Sequence, residues 1–159
     1  MTRALLLIAA ALMALLGTTT ASATPTDHAR PDAIIFSADG KTATPVDAGT
    51  VRSDFTTQAL SCSSGYLCVW PVTDGSRSRC SWFNRDNDWW YTPVVCSWSS
   101  STTVKAIYNH GTNSSYAGVC LYQGANYTDP VYWVGQGVDW VPPVYYVVRS
   151  HRWVPGFDC

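Results

Sequence analysis

Apolar and polar positions divide the chain into three unlike stretches. Arg3 precedes an unbroken apolar run from Ala4 to Leu16, and Ala21, Ser22 and Ala23 follow as a small-residue cleavage signal. This is the layout of a secretory signal peptide over residues 1–23. The run falls well short of the ~20 apolar residues that a bilayer-spanning helix needs. From Thr24 to about residue 60 the chain is rich in Thr, Ala, Asp and Pro, with Phe36 and Phe55 as its aromatics. Such a segment has little to bury, so 24–60 reads as a linker or pro-segment, largely disordered. The alternative is that the short apolar cluster Ala33 to Phe36 adds an edge strand to the domain that follows.

Residues 61–159 carry a different pattern, with short β-branched or aromatic runs separated by Gly, Pro, Asn and Asp. The runs are Tyr66 to Trp70, Ser81 to Phe83, Thr103 to Tyr108, Val119 to Tyr122, Val131 to Val134 and Tyr145 to Val148. Asp74-Gly75, Asn84 to Asp88, His110 to Asn113, Gly124 to Asn126, Gly135 to Gly137 and Pro142-Pro143 punctuate them. No window holds a helical period for more than two turns. Evenly spaced short strands predict an all-β sandwich or barrel built from hairpins or Greek keys. Gly65-Tyr66-Leu67-Cys68-Val69-Trp70 is echoed 52 positions later by Ala117-Gly118-Val119-Cys120-Leu121-Tyr122, which suggests two related motifs.

Cysteine usage sharpens this picture. All six cysteines lie in residues 61–159, with all eight Trp and all nine Tyr. A core of this size is marginal, and exported domains of about 100 residues commonly add disulfides. Six cysteines allow 15 connectivities. Local spacing favours Cys62 with Cys68 and Cys80 with Cys96, leaving Cys120 to tie Cys159 to the domain. The two longer bridges would stabilise by roughly 3 to 4 kcal/mol each on the chain-entropy model. Metal ligation by these cysteines is disfavoured, since no CxxC pair exists.

Charge removes several function classes. Lys+Arg 10 against Asp+Glu 11 leaves no basic field for a phosphate backbone or an acidic membrane, so neither nucleic acid nor, once the signal is cleaved, a membrane is an expected partner. All eleven acidic residues are Asp, which removes glutamate bases, HExxH zinc chemistry and Glu-terminated EF-hand loops. Asn84, Asp86 and Asp88 imitate the start of an EF-hand loop, but Trp89 and Val95 stand where its Gly and Glu belong. Asp86 and Asp88 are too close in sequence for a glycosidase pair, and His110 and His151 have no free Cys or GxSxG serine to activate. No catalytic residue, metal or cofactor is expected. Exposed aromatics offer one alternative: Trp89, Trp90, Trp133 and Trp140 could stack on a polysaccharide or the cell envelope.

The string Cys62-Ser63-Ser64-Gly65-Tyr66-Leu67-Cys68-Val69-Trp70 resembles the opening of the secreted peptidase inhibitor family typified by the streptomycete metalloproteinase inhibitor. That opening is a Cys, five residues, and a Cys followed by an apolar and an aromatic residue. Val104 to Asn109, then Val119-Cys120-Leu121-Tyr122 with Asn126 and Tyr127, fit the second half of the same family. The resemblance implies a βγ-crystallin-like double Greek-key sandwich and a secreted protease as partner; a secreted, extracellular monomer is expected. It implies inhibition by a rigid exposed loop that enters the protease cleft as substrate would. Thermolysin-type metalloproteases accept apolar residues after the cut. Two loops are candidates: 124–131, with Asn126, Tyr127, Asp129, Pro130 and Val131, and 135–144, with Trp140, Val141 and Pro142.

Three departures from the family pattern matter. The crystallin hairpin runs aromatic, four residues, aromatic, any residue, Gly; Tyr122 and Tyr127 fit, but Asp129 replaces the glycine, at some cost if positive φ is kept. The inhibitory loop of the type member lies beside a second closely spaced disulfide that this chain lacks, so no reactive bond carries over. The calcium positions of crystallin motifs are held here by Thr102 to Ala106 and Tyr145 to Ser150, among them aromatic, aliphatic and basic residues that give Ca²⁺ no oxygen ligand, so no crystallin-type calcium site is expected.

Overall fold

The structure, a computed structural model, describes residues 30–47 and 60–159. The signal-like residues 1–23 lie outside that range. Among the described residues are nine strands: β1 (Ala33–Phe36), β2 (Ala43–Val46), β3 (Leu67–Trp70), β4 (Cys80–Trp82), β5 (Ala106–Asn109), β6 (Gly118–Tyr122), β7 (Pro130–Gly135), β8 (Asp139–Trp140) and β9 (Ser150–Val154). They form two antiparallel sheets, of order β2-β1-β7-β6-β9 and β4-β3-β5-β8.

The topology is that of two Greek keys that exchange a strand. In the first, β3 and β4 form a hairpin and β5 returns beside β3. In the second, β6 and β7 form the hairpin and β9 returns beside β6. The third strand of each motif crosses to the other sheet. Thus β8 pairs with β5, with Ile107 opposite Trp140, while the chain at Asp86 bridges to His151 on β9. Cys68 on β3 and Cys120 on β6 occupy matching places, which is the 52-residue echo seen in the sequence. The fold is the expected disulfide-stabilised all-β crystallin-like sandwich.

Period-two alternation explains how such short strands hold together. Val119 and Leu121 of β6 enter the central core with Leu67, Val69, Ile107 and Trp140. Their neighbours Cys120 and Tyr122 face outward into a second cluster with Ile34, Trp133 and Val154. Cys68, Trp70 and Ala106 make the equivalent outer cluster on the other sheet. The bridges are Cys62–Cys68, Cys80–Cys96 and Cys120–Cys159, the pairing favoured by local spacing. The first and third lie over the two outer clusters, and by closing a 39-residue separation the third contributes about 4 kcal/mol on the chain-entropy model.

Two segments differ from their sequence pattern. Within 24–60, the described residues 30–47 hold β1 and β2, and β1 pairs with both β2 and β7, so Ala33 to Phe36 is an interior strand and not an edge. Tyr145 to Val148 is not a strand. Only Tyr146 makes a bridge, to Val104, and pairing with β6 begins at Ser150. Apolar residues there mark a crossing between the sheets, and β9 starts instead on Ser150 and His151, both fully buried.

Candidate functional site

The residues proposed from the sequence divide into core and surface. Trp89, Trp133 and Trp140 are buried. Trp89 stacks on Trp82 with ring centroids 4.2 Å apart, Trp133 donates Nε1–H to the Gly156 carbonyl at 2.8 Å, and Trp140 meets Tyr132 edge to face. Trp90 is half-buried beneath the Arg149 guanidinium, 4.0 Å from the ring centroid. These four indoles therefore form no exposed row for a glycan: each closes a part of the sandwich. Pro142 and Val131 are buried and Val141 is half-buried, so the 135–144 stretch presents Pro143, Val144 and Tyr145 instead of Trp140 or Pro142.

Loop 123–130 is exposed but closed on itself. Asn126, Tyr127 and Asp129 all have positive φ, 55°, 65° and 57°. Asn and Asp tolerate this region better than other side chains, and each non-glycine residue held there costs on the order of 1–3 kcal/mol. The strain persists because four of the loop's N–H groups are bonded inward. Gln123 and Gly124 donate to the carbonyls of Asp129 and Thr128, Asn126 to the Asn87 carbonyl, and Tyr127 to Ser150 Oγ. Ser150 Oγ donates in turn to the Gly124 carbonyl at 2.7 Å. A side chain on residue 124 would strike Thr128 Oγ1 at 1.9 Å, so the loop closes only over glycine. Asp129 thus takes up the left-handed conformation of the glycine it replaces, and β7 then bulges at Val131.

A second loop, absent from the sequence candidates, is open. Tyr91, Thr92, Pro93, Val94 and Val95 are consecutive exposed residues between two buried ones, Trp89 and Cys96. Tyr91 is 64% exposed and Val95 54%, values that leave both side chains without a core to fill. The N–H groups of Thr92, Val94 and Val95 make no hydrogen bond among the described residues. The feet of the loop are fixed. Cys96 N donates to the Trp89 carbonyl at 2.8 Å, and the Cys80–Cys96 bridge ties the far foot to β4. At the near foot, Asp88 accepts from Arg149 Nε and Nη2 at 3.0 and 2.7 Å and from the Trp90 amide at 3.2 Å. The Arg149 hydrogen bond holds the Asp88 carboxyl below the usual carboxylate range.

Beneath that loop lies His151, wholly buried. Its Nδ1 accepts from Trp89 Nε1 at 2.8 Å and its Nε2 faces the Asn84 carbonyl at 3.0 Å, an arrangement that suits the neutral Nε2–H tautomer. Burial pulls its pKa down to about 3. The imidazole is thus a structural post for the open loop. Adjacent residues on β9 serve the two loops, Ser150 the closed one and His151 the open one.

The sequence signal for the open loop was Pro93 inside an apolar run. Proline removes a ladder donor and demotes a strand reading, leaving exposed valines between two half-cystine neighbourhoods. Among the described residues no group of three or more His, Cys, Asp or Glu side chains is placed to hold a metal ion, and no helix is long and apolar enough to cross a membrane.

No curated protein and no solved structure matches the chain. Residues 56–134, which contain the first Greek key, the open loop and the β6–β7 hairpin, match Peptidase inhibitor family I36. This is the family that the Cys62 to Trp70 opening resembles, and the match over 56–134 supports that resemblance.

Proposed function

We propose that the chain is an exported, non-enzymatic inhibitor of secreted metallopeptidases that acts through the Tyr91 to Val95 loop. The observation that carries this reading is the contrast between free and committed backbone. A peptidase cleft binds a segment by main-chain hydrogen bonds and by pockets for its side chains. The open loop offers unpaired N–H groups with Val94 and Val95 beside them, whereas in loop 123–130 the amides of Gln123, Gly124, Asn126 and Tyr127 are already bonded inside the fold.

Fixed feet supply the rest of the mechanism. A loop already held in place loses little entropy when bound, and cleavage within it leaves both ends anchored, by Trp89 on one side and the Cys80–Cys96 bridge on the other. Apolar Val94 and Val95 fit the preference of thermolysin-type enzymes for an apolar residue after the cut. The secretory layout of residues 1–23 and the three disulfides are consistent with an oxidising exterior.

The test is a titration of the purified chain against a thermolysin-type metalloendopeptidase and a trypsin-type serine endopeptidase. Stoichiometric loss of metallopeptidase activity is expected, with the serine enzyme unaffected. Full activity of both enzymes at a large molar excess of the chain contradicts the reading, and loss of serine peptidase activity alone contradicts the target class.

A further inference from the structure

A cleft of about 750 Å³ opens on the molecule away from the residues of both loops, within the size range of small-ligand sites. Separate chain segments meet there: Phe83 and Arg85 after β4, the 111–116 turn between β5 and β6, Gln136 after β7, and Trp153 with Pro155 at the end of β9. Its walls are flat rings. Tyr116 and Trp153 lie nearly parallel, 29° between planes with centroids 6.4 Å apart, and Phe83 stands 61% exposed. Trp153 can lie over the 111–116 turn only because residue 111 is glycine, where a Cβ would come within 2.7 Å of the indole. The rim is tied by Gln136 Nε2, which donates to the Asn113 carbonyl at 2.8 Å.

Charge in the cleft has one sign. Its lining holds Arg85 and Arg152 and no carboxylate. Arg152 is committed, with Nε donating to Tyr122 Oη at 2.8 Å and Nη2 to the Cys159 carbonyl at 2.5 Å. Arg85 is exposed and makes no hydrogen bond or ion pair among the described residues. A free guanidinium is a bidentate receptor for a carboxylate, and ring faces receive the C–H face of a pyranose.

We propose that this cleft binds an acidic saccharide, with a uronate carboxylate on Arg85, a sugar ring against Tyr116 and Trp153, and hydroxyls on Thr112 and Gln136. An acidic peptide would use the guanidinium but leave the paired ring faces without a rigid partner. The site shares no residue with the Tyr91 to Val95 loop, so it stands whether or not the chain inhibits a peptidase.

Isothermal titration of the full chain tests this with three probes: tetragalacturonate, neutral cellotetraose and tetra-aspartate. Tetragalacturonate is expected to bind about tenfold more tightly than cellotetraose, through the charge-assisted pair at Arg85. Arg85→Ala should remove that preference, and Tyr116→Ala should weaken both saccharides. Both side chains are exposed, and unchanged near-UV circular dichroism checks the fold of each variant. No heat with tetragalacturonate, affinities indifferent to both substitutions, or equal binding of tetra-aspartate would overturn the proposal.

Discussion

Two surface loops of this domain are opposite in construction. Loop 123–130 keeps three non-glycine residues at positive φ and turns its amides inward, to Asn87, Ser150 and itself. Loop 91–95 has fixed feet and an unpaired middle, with three apolar side chains in solvent. Rigidity in the first is used up by its own closure. Rigidity in the second is supplied from below by Trp89, Cys96 and the Asp88–Arg149 pair, which leaves the crest able to make new bonds. Exposure alone therefore does not mark a binding loop; what marks it is backbone left unpaired on a fixed base.

The contrast can be broken most sharply at Val95. Val95→Asp places a charge where an apolar pocket of the peptidase would close, and inhibition should weaken on the order of 100-fold, the size of a hot-spot loss, with the melting temperature unchanged. Next in size is the far foot. Replacing Cys80 and Cys96 together by Ser should cost about 3 kcal/mol by urea unfolding, and should make the inhibitor a substrate that mass spectrometry finds cut and released.

Acid probes the base of the open loop. The folded pKa of His151, about 3, lies below its ordinary 6.5, so the unfolded chain takes up a proton that the folded chain refuses. Stability should then be full above pH 6.5 and fall by up to about 1.4 kcal/mol per pH unit as pH drops toward 3. Asp88, held low by Arg149, contributes stability that is lost only below the carboxylate range, so urea unfolding between pH 6.5 and 4.5 isolates the histidine. His151→Gln should flatten that slope. The smallest effect belongs to the closed loop: Asp129→Gly relieves the positive φ and should raise stability by about 0.5 kcal/mol while leaving inhibition untouched.

Much of the fold was legible because its determinants are local. Cysteine spacing pointed to all three bridges, and the Cys68 to Cys120 echo marked the two Greek keys. Asp129 in a glycine position pointed to a left-handed turn. What escaped depends on contacts distant in sequence. Trp89 and Trp90 are neighbours in a turn, yet one is buried on His151, 62 residues away, and the other lies under Arg149. Adjacent aromatics in a turn look exposed until the element that covers them is known. Likewise Ser150 and His151 look polar and therefore external, although they pair with β6 and hold up both loops. The cleft, drawn from five separate segments, has no contiguous signature at all.

The central claim is that the open loop and not the closed one makes the inhibitory contact. Inhibition constants against one thermolysin-type metalloendopeptidase, for the native chain, Val95→Asp and Asp129→Lys, test it directly. Loss of inhibition in Val95→Asp with near-native inhibition in Asp129→Lys is the predicted result. Native inhibition by Val95→Asp together with its loss in Asp129→Lys would contradict the claim and return the inhibitory contact to the hairpin loop between β6 and β7.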